Sequence, residues 1–157
     1  MRLQIPLTCS PVGVLEPAAD AGGRDSTIYA DMKNAVKAWI VCFMNQAAAN
    51  TIAWTPKQAT SNAGAGAAVI SANTRIYTNL DCQTTDVFTR QTDAANYTTD
   101  AGTKKKIIVF EIEPSLVMNF ASSFYYIGVT TGASNASNIT SAIVFVQPKY
   151  TGADNLT

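Results

Sequence analysis

The sequence predicts an all-β domain: a β-sandwich or jelly-roll-like barrel of about seven or eight strands, with one short helix and an extended N-terminal arm. Three observations predict it. Short runs rich in Val, Ile, Tyr and Phe recur, cut apart by Thr, Asn, Ala and Gly spacers. The segment Lys104 to Glu113 is the clearest strand, with Ile108, Phe110 and Ile112 on one face and Ile107, Val109, Glu111 and Glu113 on the other. Helical periodicity is weak almost everywhere.

Element by element, Met1 to Ser26 reads as an arm, because Pro6, Pro11 and Pro17 remove backbone donors and Gly22-Gly23 disfavours order. Leu3, Ile5 and Leu7 alternate with Arg2, Gln4 and Pro6 and are its expected anchors. Such an arm gains order by lying on something else, and a neighbouring subunit is the expected support. Residues 27–150 form the sandwich domain and 151–157 a C-terminal tail.

Within the domain, Thr27 to Met32 leans to strand. Val36 to Gln46 contains six consecutive apolar residues, Trp39 to Met44. Met32, Ala35, Val36, Trp39, Ile40, Phe43 and Met44 also fit helical spacing. The β-branched and aromatic content favours a strand buried on both faces. Thr51 to Thr55 is the next strand, ended by Pro56. After a Gly-containing loop, Val69-Ile70 and Thr74 to Asn79 resume the pattern. Asp81 to Thr103 is polar. Lys104 to Glu113 is the clearest strand, and Pro114 opens a helical turn reaching Phe120. Tyr125 to Thr131 and Ile139 to Gln147 are the last strands, separated by a turn cluster. The expected core is Trp39, Val41, Phe43, Trp54, Ile76, Ile108, Phe110, Ile112, Ile127, Val129, Ile143 and Phe145.

Composition narrows the chemistry. The 157 residues include no histidine, which removes the commonest general base and metal ligand. Charged residues are 14%, and 11 basic residues balance 11 acidic ones. A neutral chain is not expected to bind nucleic acid broadly. No apolar run has the length of a membrane span, and the prolines near the start argue against a signal peptide. Cys9, Cys42 and Cys82 form no CxxC motif, and Cys42 reads as a small core hydrophobe.

Candidate sites read blandly. Glu111 and Glu113 share a strand face, as paired carboxylates can in glycosidases, but beside Lys104 to Lys106 they read as a solvated or ion-paired face. Asp81, Asp86, Asp93 and Asp100 lack the spacing of a calcium loop and read as loop solvation. Neither a GxSxG nor a phosphate loop is present. The expectation is no enzyme, no cofactor, no metal and no catalytic residue. Lys104, Lys105 and Lys106 are a candidate basic contact, or gatekeepers of a sheet edge.

Five segments in order carry a resemblance: KNAVKAWIVCFMNQ, WTPKQATSNAGAGA, YTNLDCQTTDVFTRQTDAANYTTD, IIVFEIEPSLVMNF and SNASNITSAIVFVQPKY. Together they resemble small head-associated virion proteins of tailed bacteriophages and prophages, of the capsid cement or decoration type. The resemblance spans roughly Asp31 to Tyr150. It implies a structural protein made in the host bacterial cytoplasm and carried on the capsid exterior. It also implies contacts with the major capsid protein and with copies of itself, and no catalytic residues. A neck or tail component, or a carbohydrate-binding β-sandwich using Trp39, Trp54, Tyr125 or Tyr126, are the alternative expectations.

Overall fold

The computed structural model describes residues 9–149. They form two antiparallel sheets packed face to face, the sandwich expected from the alternation. The strands are β1 (Ser10–Ala19), β2 (Ala30–Asp31), β3 (Ala35–Asn45), β4 (Ala53–Ala59), β5 (Ala68–Val69), β6 (Arg75–Asn79), β7 (Thr89–Arg90), β8 (Tyr97–Thr98), β9 (Lys105–Ile112), β10 (Tyr126–Thr131) and β11 (Ile139–Pro148). A single helical turn, α1 (Pro114–Val117), starts on its proline, and a 3₁₀ turn follows at Phe120–Ser122. The larger sheet has the order β1-β11-β3-β9-β6-β7. The smaller has β2-β10-β4-β5, with β8 also pairing β4.

The core lies between the sheets. β3 contributes Ala38, Ile40, Cys42 and Met44; β9 contributes Ile108, Phe110 and Ile112; β11 contributes Ala142, Val144 and Val146. Trp54, Ile127 and Val129 come from the smaller sheet. The sequence reading is therefore correct for Trp54, Ile76, Ile108, Phe110, Ile112, Ile127 and Val129, all buried. It requires correction for Trp39, Val41, Phe43, Ile143 and Phe145, which occupy the opposite parity and face outward. Nor is β3 buried on both faces, since Phe43 is 41% exposed. The physical reason is volume. The core already holds the large Trp54, Phe110 and Met32, so the parity that supplies the small Ala38, Cys42 and Ala142 completes it, and the bulkier alternate residues go outside.

The arm also requires correction. Leu3, Ile5 and Leu7 lie outside the described residues, but residues 10–26 pack on their own domain. β1 pairs with β11 from Ser10↔Val146 to Ala19↔Ile139. Pro11 and Pro17 are accommodated because β1 is an edge strand, and its register shifts at Gly13/Leu15 and Leu15/Ala18 absorb the irregularity. Beyond β1, Arg24 Nη1 donates to Thr140 O at 2.6 Å. The Ser26 hydroxyl donates to Val129 O at 2.9 Å and accepts from Val129 N at 2.8 Å. β4 likewise runs through Pro56 instead of ending there. Pro56 falls between the stretch paired with β8 and the stretch paired with β5.

Two polar networks close the same end of the sandwich, which the register Ala19↔Ile139↔Asn45↔Lys105 brings together. In one, the buried Lys106 Nζ donates to Gln46 Oε1 at 2.9 Å, Asp100 Oδ1 at 2.6 Å and Asp100 O at 3.0 Å. Thr99 Oγ1 donates to the same Gln46 oxygen at 2.9 Å. All three ammonium hydrogens have acceptors, which is what a buried charge requires. In the other, the buried Asp20 carboxylate accepts from Thr131 Oγ1 at 2.7 Å and Ser134 Oγ at 3.2 Å.

The chain itself covers part of the outer face of the smaller sheet. Tyr29 is buried across β10, its hydroxyl donating to Asp25 Oδ1 at 3.1 Å. Two glycines make room for its ring. A Cβ on Gly128 would lie 2.8 Å from Tyr29 Cε1 and from Ser26 Cβ. One on Gly64, where φ is +80°, would lie 2.7 Å from Tyr29 Cε2. Gly128→Ala should therefore destabilise the fold by about 1–3 kcal/mol, a fall of several degrees in Tm, measurable by thermal denaturation. An unchanged Tm would show that the Tyr29 cover is loose.

Candidate functional site

Among the described residues the outer face of the larger sheet is uncovered, and its centre is apolar. Cross-strand register assembles it in rows. One row is Ile143–Val41–Val109–Tyr77, with Gly13 beside Ile143. The next is Ser141–Phe43–Ile107. A third is Phe145–Trp39–Glu111–Arg75, with Pro11 beside Phe145. The fourth is Ile139–Asn45–Lys105. Ile143 is 45%, Phe43 41% and Ile139 36% exposed, and the aliphatic residues between them are half-buried. A sandwich sheet ordinarily shows polar side chains outward. Single exposed hydrophobes such as Val87 or Leu116 are unremarkable, but a contiguous apolar face marks an interaction surface.

Charges sit at the ends of this face. At one end Glu111 accepts from Lys37 at 2.9 Å and Arg75 at 3.0 Å. Glu113 lies 3.6 Å from Lys37 and 3.9 Å from Arg75. Burial alone would raise the Glu111 carboxyl, but the Lys37 and Arg75 hydrogen bonds outweigh it and hold the group below the usual carboxylate range. Glu111 thus stays ionised, the wrong state for a general acid. At the other end Lys105 has no ion-pair partner among the described residues.

The three lysines in sequence do not form one basic surface. Lys104 is exposed and bonded to Asp81 at 2.6 Å, Lys105 lies on the outer face, and Lys106 is buried. They do not guard an edge either, because β9 lies inside the sheet between β3 and β6. Alternation sends Lys106 inward, where Gln46 and Asp100 receive it.

The aspartate-rich stretch is used internally. Asp81 pairs with Lys104, Asp93 with Arg90 and Asp100 with Lys106. An open depression of about 650 Å³ lies among Thr78, Asn79, Asp81, Gln91, Asp100 and Lys104. Its polar side chains bond one another or the local backbone: Gln91 Nε2 donates to Thr78 Oγ1 at 2.9 Å and Asn79 Nδ2 to Thr85 O at 2.7 Å. Among the described residues no three His, Cys, Asp or Glu side chains cluster as metal ligands. Cys42 is wholly buried and Cys9 nearly so, and burial pushes both thiols up. No helix among the described residues is long and apolar enough to cross a membrane. Of the aromatic residues considered for sugar binding, Trp54 is buried. Tyr125 stacks on Phe120, and the Lys33 ammonium lies over both Tyr125 and Tyr126.

Neither a protein-family model nor a curated protein matches the chain. Among solved structures it is similar to YomS, a protein derived from the SPBc2 prophage. The likeness covers 94% of this chain and 99% of that one at 7% identity, with a TM-score of 0.49. A sugar-binding candidate from Bacteroides thetaiotaomicron is matched over 80% of this chain and 65% of its own length, at 10% identity and a TM-score of 0.32. A prophage-derived protein is thus among the structural neighbours. Likenesses at this level carry no argument about function, so the reading below rests on the chain's own residues.

The ionisable groups predict an acid-labile fold. The Lys106 hydrogen bond holds Asp100 below its ordinary range, the Lys104 bond does the same for Asp81, and Glu111 is lowered as described. For these three the unfolded chain takes up protons first. Their stabilisation is present above the ordinary carboxylate pKa of about 4 and is lost as pH falls through the folded values. Asp20 works in the opposite sense. Burial raises it against the hydrogen bonds of Thr131 and Ser134 and the charge of Arg24, so its contribution is present below about 4 and is lost as pH rises through its folded value. Tm should fall as pH drops below about 4, and Glu111→Gln should flatten part of that fall. A wild-type acid limb shared unchanged by Glu111→Gln would contradict the ion-pair account.

Proposed function

We propose that this chain is a structural component of a tailed-bacteriophage virion, a capsid cement protein that stabilises the head by binding the lattice of the major capsid protein. One observation carries the proposal. Among the described residues the outer face of the larger sheet is uncovered and apolar at its centre, whereas on the smaller sheet Tyr29 covers the outer face at Gly128 and the neighbouring Thr55, Lys57 and Thr130 are polar. A protein that works alone in water has no use for such a face, whereas a subunit of an assembly buries it. The five-segment sequence resemblance to head-associated virion proteins supports the same reading. A charge-poor surface, 14% Asp, Glu, Lys and Arg, suits a protein surrounded by neighbours. The role is non-catalytic: the paired glutamates are committed to Lys37 and Arg75.

A carbohydrate-binding role is less well supported. The centre of the face offers Ile143, Val41, Val109, Phe43 and Ile107, with only the Ser141 and Tyr77 hydroxyls at its margins as hydrogen-bonding partners for a sugar. Many modest contacts on a symmetric lattice sum to a firm hold, and copies joined through this face hold the lattice more firmly than single ones.

The test is reconstitution. Capsids lacking this protein are mixed with the purified chain, and bound copies per particle are counted by quantitative gel analysis and cryo-electron microscopy. Cement predicts saturation at hundreds of copies, and Phe43→Ser should lower occupancy while keeping a folded melting curve. Failure to bind capsids, or saturation at a handful of copies, would overturn the cement assignment in favour of a neck or tail position or a role outside the virion.

A further inference from the structure

The open face is compatible with more than one occupant, and its layout favours one. Resting on the assembly reading above, we propose that the outer face of the six-stranded sheet packs against the same face of a second copy, about a two-fold axis lying in the interface and roughly perpendicular to the strands.

The argument begins with the rows. A two-fold operation of this kind lays each strand antiparallel over its own counterpart, with the ends exchanged. Centred between the two apolar rows, it sets Phe43 against Val41 of the partner subunit and Ile107 against Val109 of the partner subunit. These residues are aliphatic or aromatic and form the middle of the contact, with Ser141 set against Ile143 of the partner subunit beside them. On β11 the same operation sets Ile139 against Phe145 of the partner subunit. Gly13, beside Ile143, has open space where a Cβ would stand, so it does not obstruct the approach.

The ends then decide between a second copy and an unrelated partner. Lys105 is a cation of this face without an ion-pair partner among the described residues, and it lies at the start of β9, whose far end carries Glu111 with Glu113 just beyond it. End exchange brings Lys105 over the partner's Glu111, with the partner's Glu113 one step beyond. Symmetry makes the contact twice. The Glu111/Glu113 end holds Lys37 and Arg75 as well, so it is neutral as a cluster, but Glu113 is held only loosely at 3.6 and 3.9 Å. An axis parallel to the strands would instead stack each charged end on its like.

Area agrees with this. Five strands at about 4.8 Å spacing and eight residues at about 3.4 Å rise give a face of about 650 Å², or about 1,300 Å² for two copies. Specific interfaces bury about 1,200–2,000 Å² in total. Two twisted sheets stack about 10 Å apart with strands inclined by about 30°, and a two-fold axis tilted by half that angle produces the arrangement.

Sedimentation equilibrium or size-exclusion light scattering of the full chain tests the proposal. The wild type should be dimeric at micromolar concentration. Phe43→Ser and Ile143→Ser, each checked for an intact melting curve, should yield monomers. Lys105→Glu should weaken the dimer about tenfold, since two exposed ion pairs are lost together. Adding Glu113→Lys should restore it. Lys105 and Glu113 stand about 27 Å apart along one strand, so rescue requires contact between copies. A monomeric wild type, a dimer indifferent to Phe43→Ser, or the absence of charge-swap rescue would overturn the proposal. So would a monomer that dimerises only when residues 1–8 are removed, because the face would then be covered by the start of the same chain. A wild-type monomer whose capsid occupancy still depends on Phe43 would sink the dimer and leave the virion reading standing. A dimer that ignores capsids would do the reverse.

Discussion

The packing of two inner sheet faces is the constraint from which the rest of this structure follows. A strand has two faces and a period of two, so assigning one parity to the core assigns the other to the outside. Ile40, Cys42 and Met44 go in with Ile108, Phe110, Ile112, Val144 and Val146, against Trp54, Ile127 and Val129. Trp39, Val41, Phe43, Ile107, Val109, Ile143 and Phe145 must then point away from the core. The outer face is apolar because three adjacent central strands are apolar on both parities. Folding stability needs one of those parities. The other requires a different explanation, and contact with another protein surface supplies it.

The remainder of the architecture holds that face rigid. The Lys106 and Asp20 networks fix one end of the sandwich by hydrogen bonds to otherwise unpaired buried groups. β1 extends the sheet past β11, and the segment from Arg24 to Tyr29 clamps the smaller sheet through Val129 and Gly128. The two outer faces are thereby unlike. One is partly covered by the chain's own tyrosine, whose hydroxyl burial and the neighbouring Asp25 charge push well above the ordinary tyrosine range. The other is uncovered among the described residues. An interaction surface on a stiff sheet loses little conformational entropy when it meets a partner.

Much of this was legible in the sequence and some was not, for identifiable reasons. The alternation of Lys104 to Glu113 located β9 and its inward Ile108, Phe110 and Ile112 correctly, because one parity there carries Glu111 and the other does not. β3 offered no such polar marker between Trp39 and Met44. Choosing the bulkier parity as core fails, since the cluster already holds Trp54, Phe110 and Met32 and is completed by the parity that carries Ala38 and Cys42. The prolines of the N-terminal segment were read as breaking regular pairing, yet an edge position with bulges tolerates them, so β1 was missed. Pro56 misled for another reason: it falls in the gap between the stretches of β4 paired with β8 and with β5, so the strand runs through it. The burial of Lys106 follows from parity alone, but its acceptors, Gln46 and Asp100, lie 60 and 6 residues away and only the fold unites them. The signal for the candidate surface was present all along in the apolar run of β3, whose both-parity character was read as depth of burial instead of as a second contact.

The central claim is that the outer face of the six-stranded sheet is a contact surface. Hydroxyl-radical footprinting of the protein, dissociated and then assembled at high concentration or on capsids, tests this most directly. The account predicts protection on assembly at Trp39, Phe43 and Phe145, with Ile28 and Tyr126 on the smaller sheet's side still reactive. Equal reactivity of Trp39, Phe43 and Phe145 in both states, or protection confined to Ile28 and Tyr126, would contradict it.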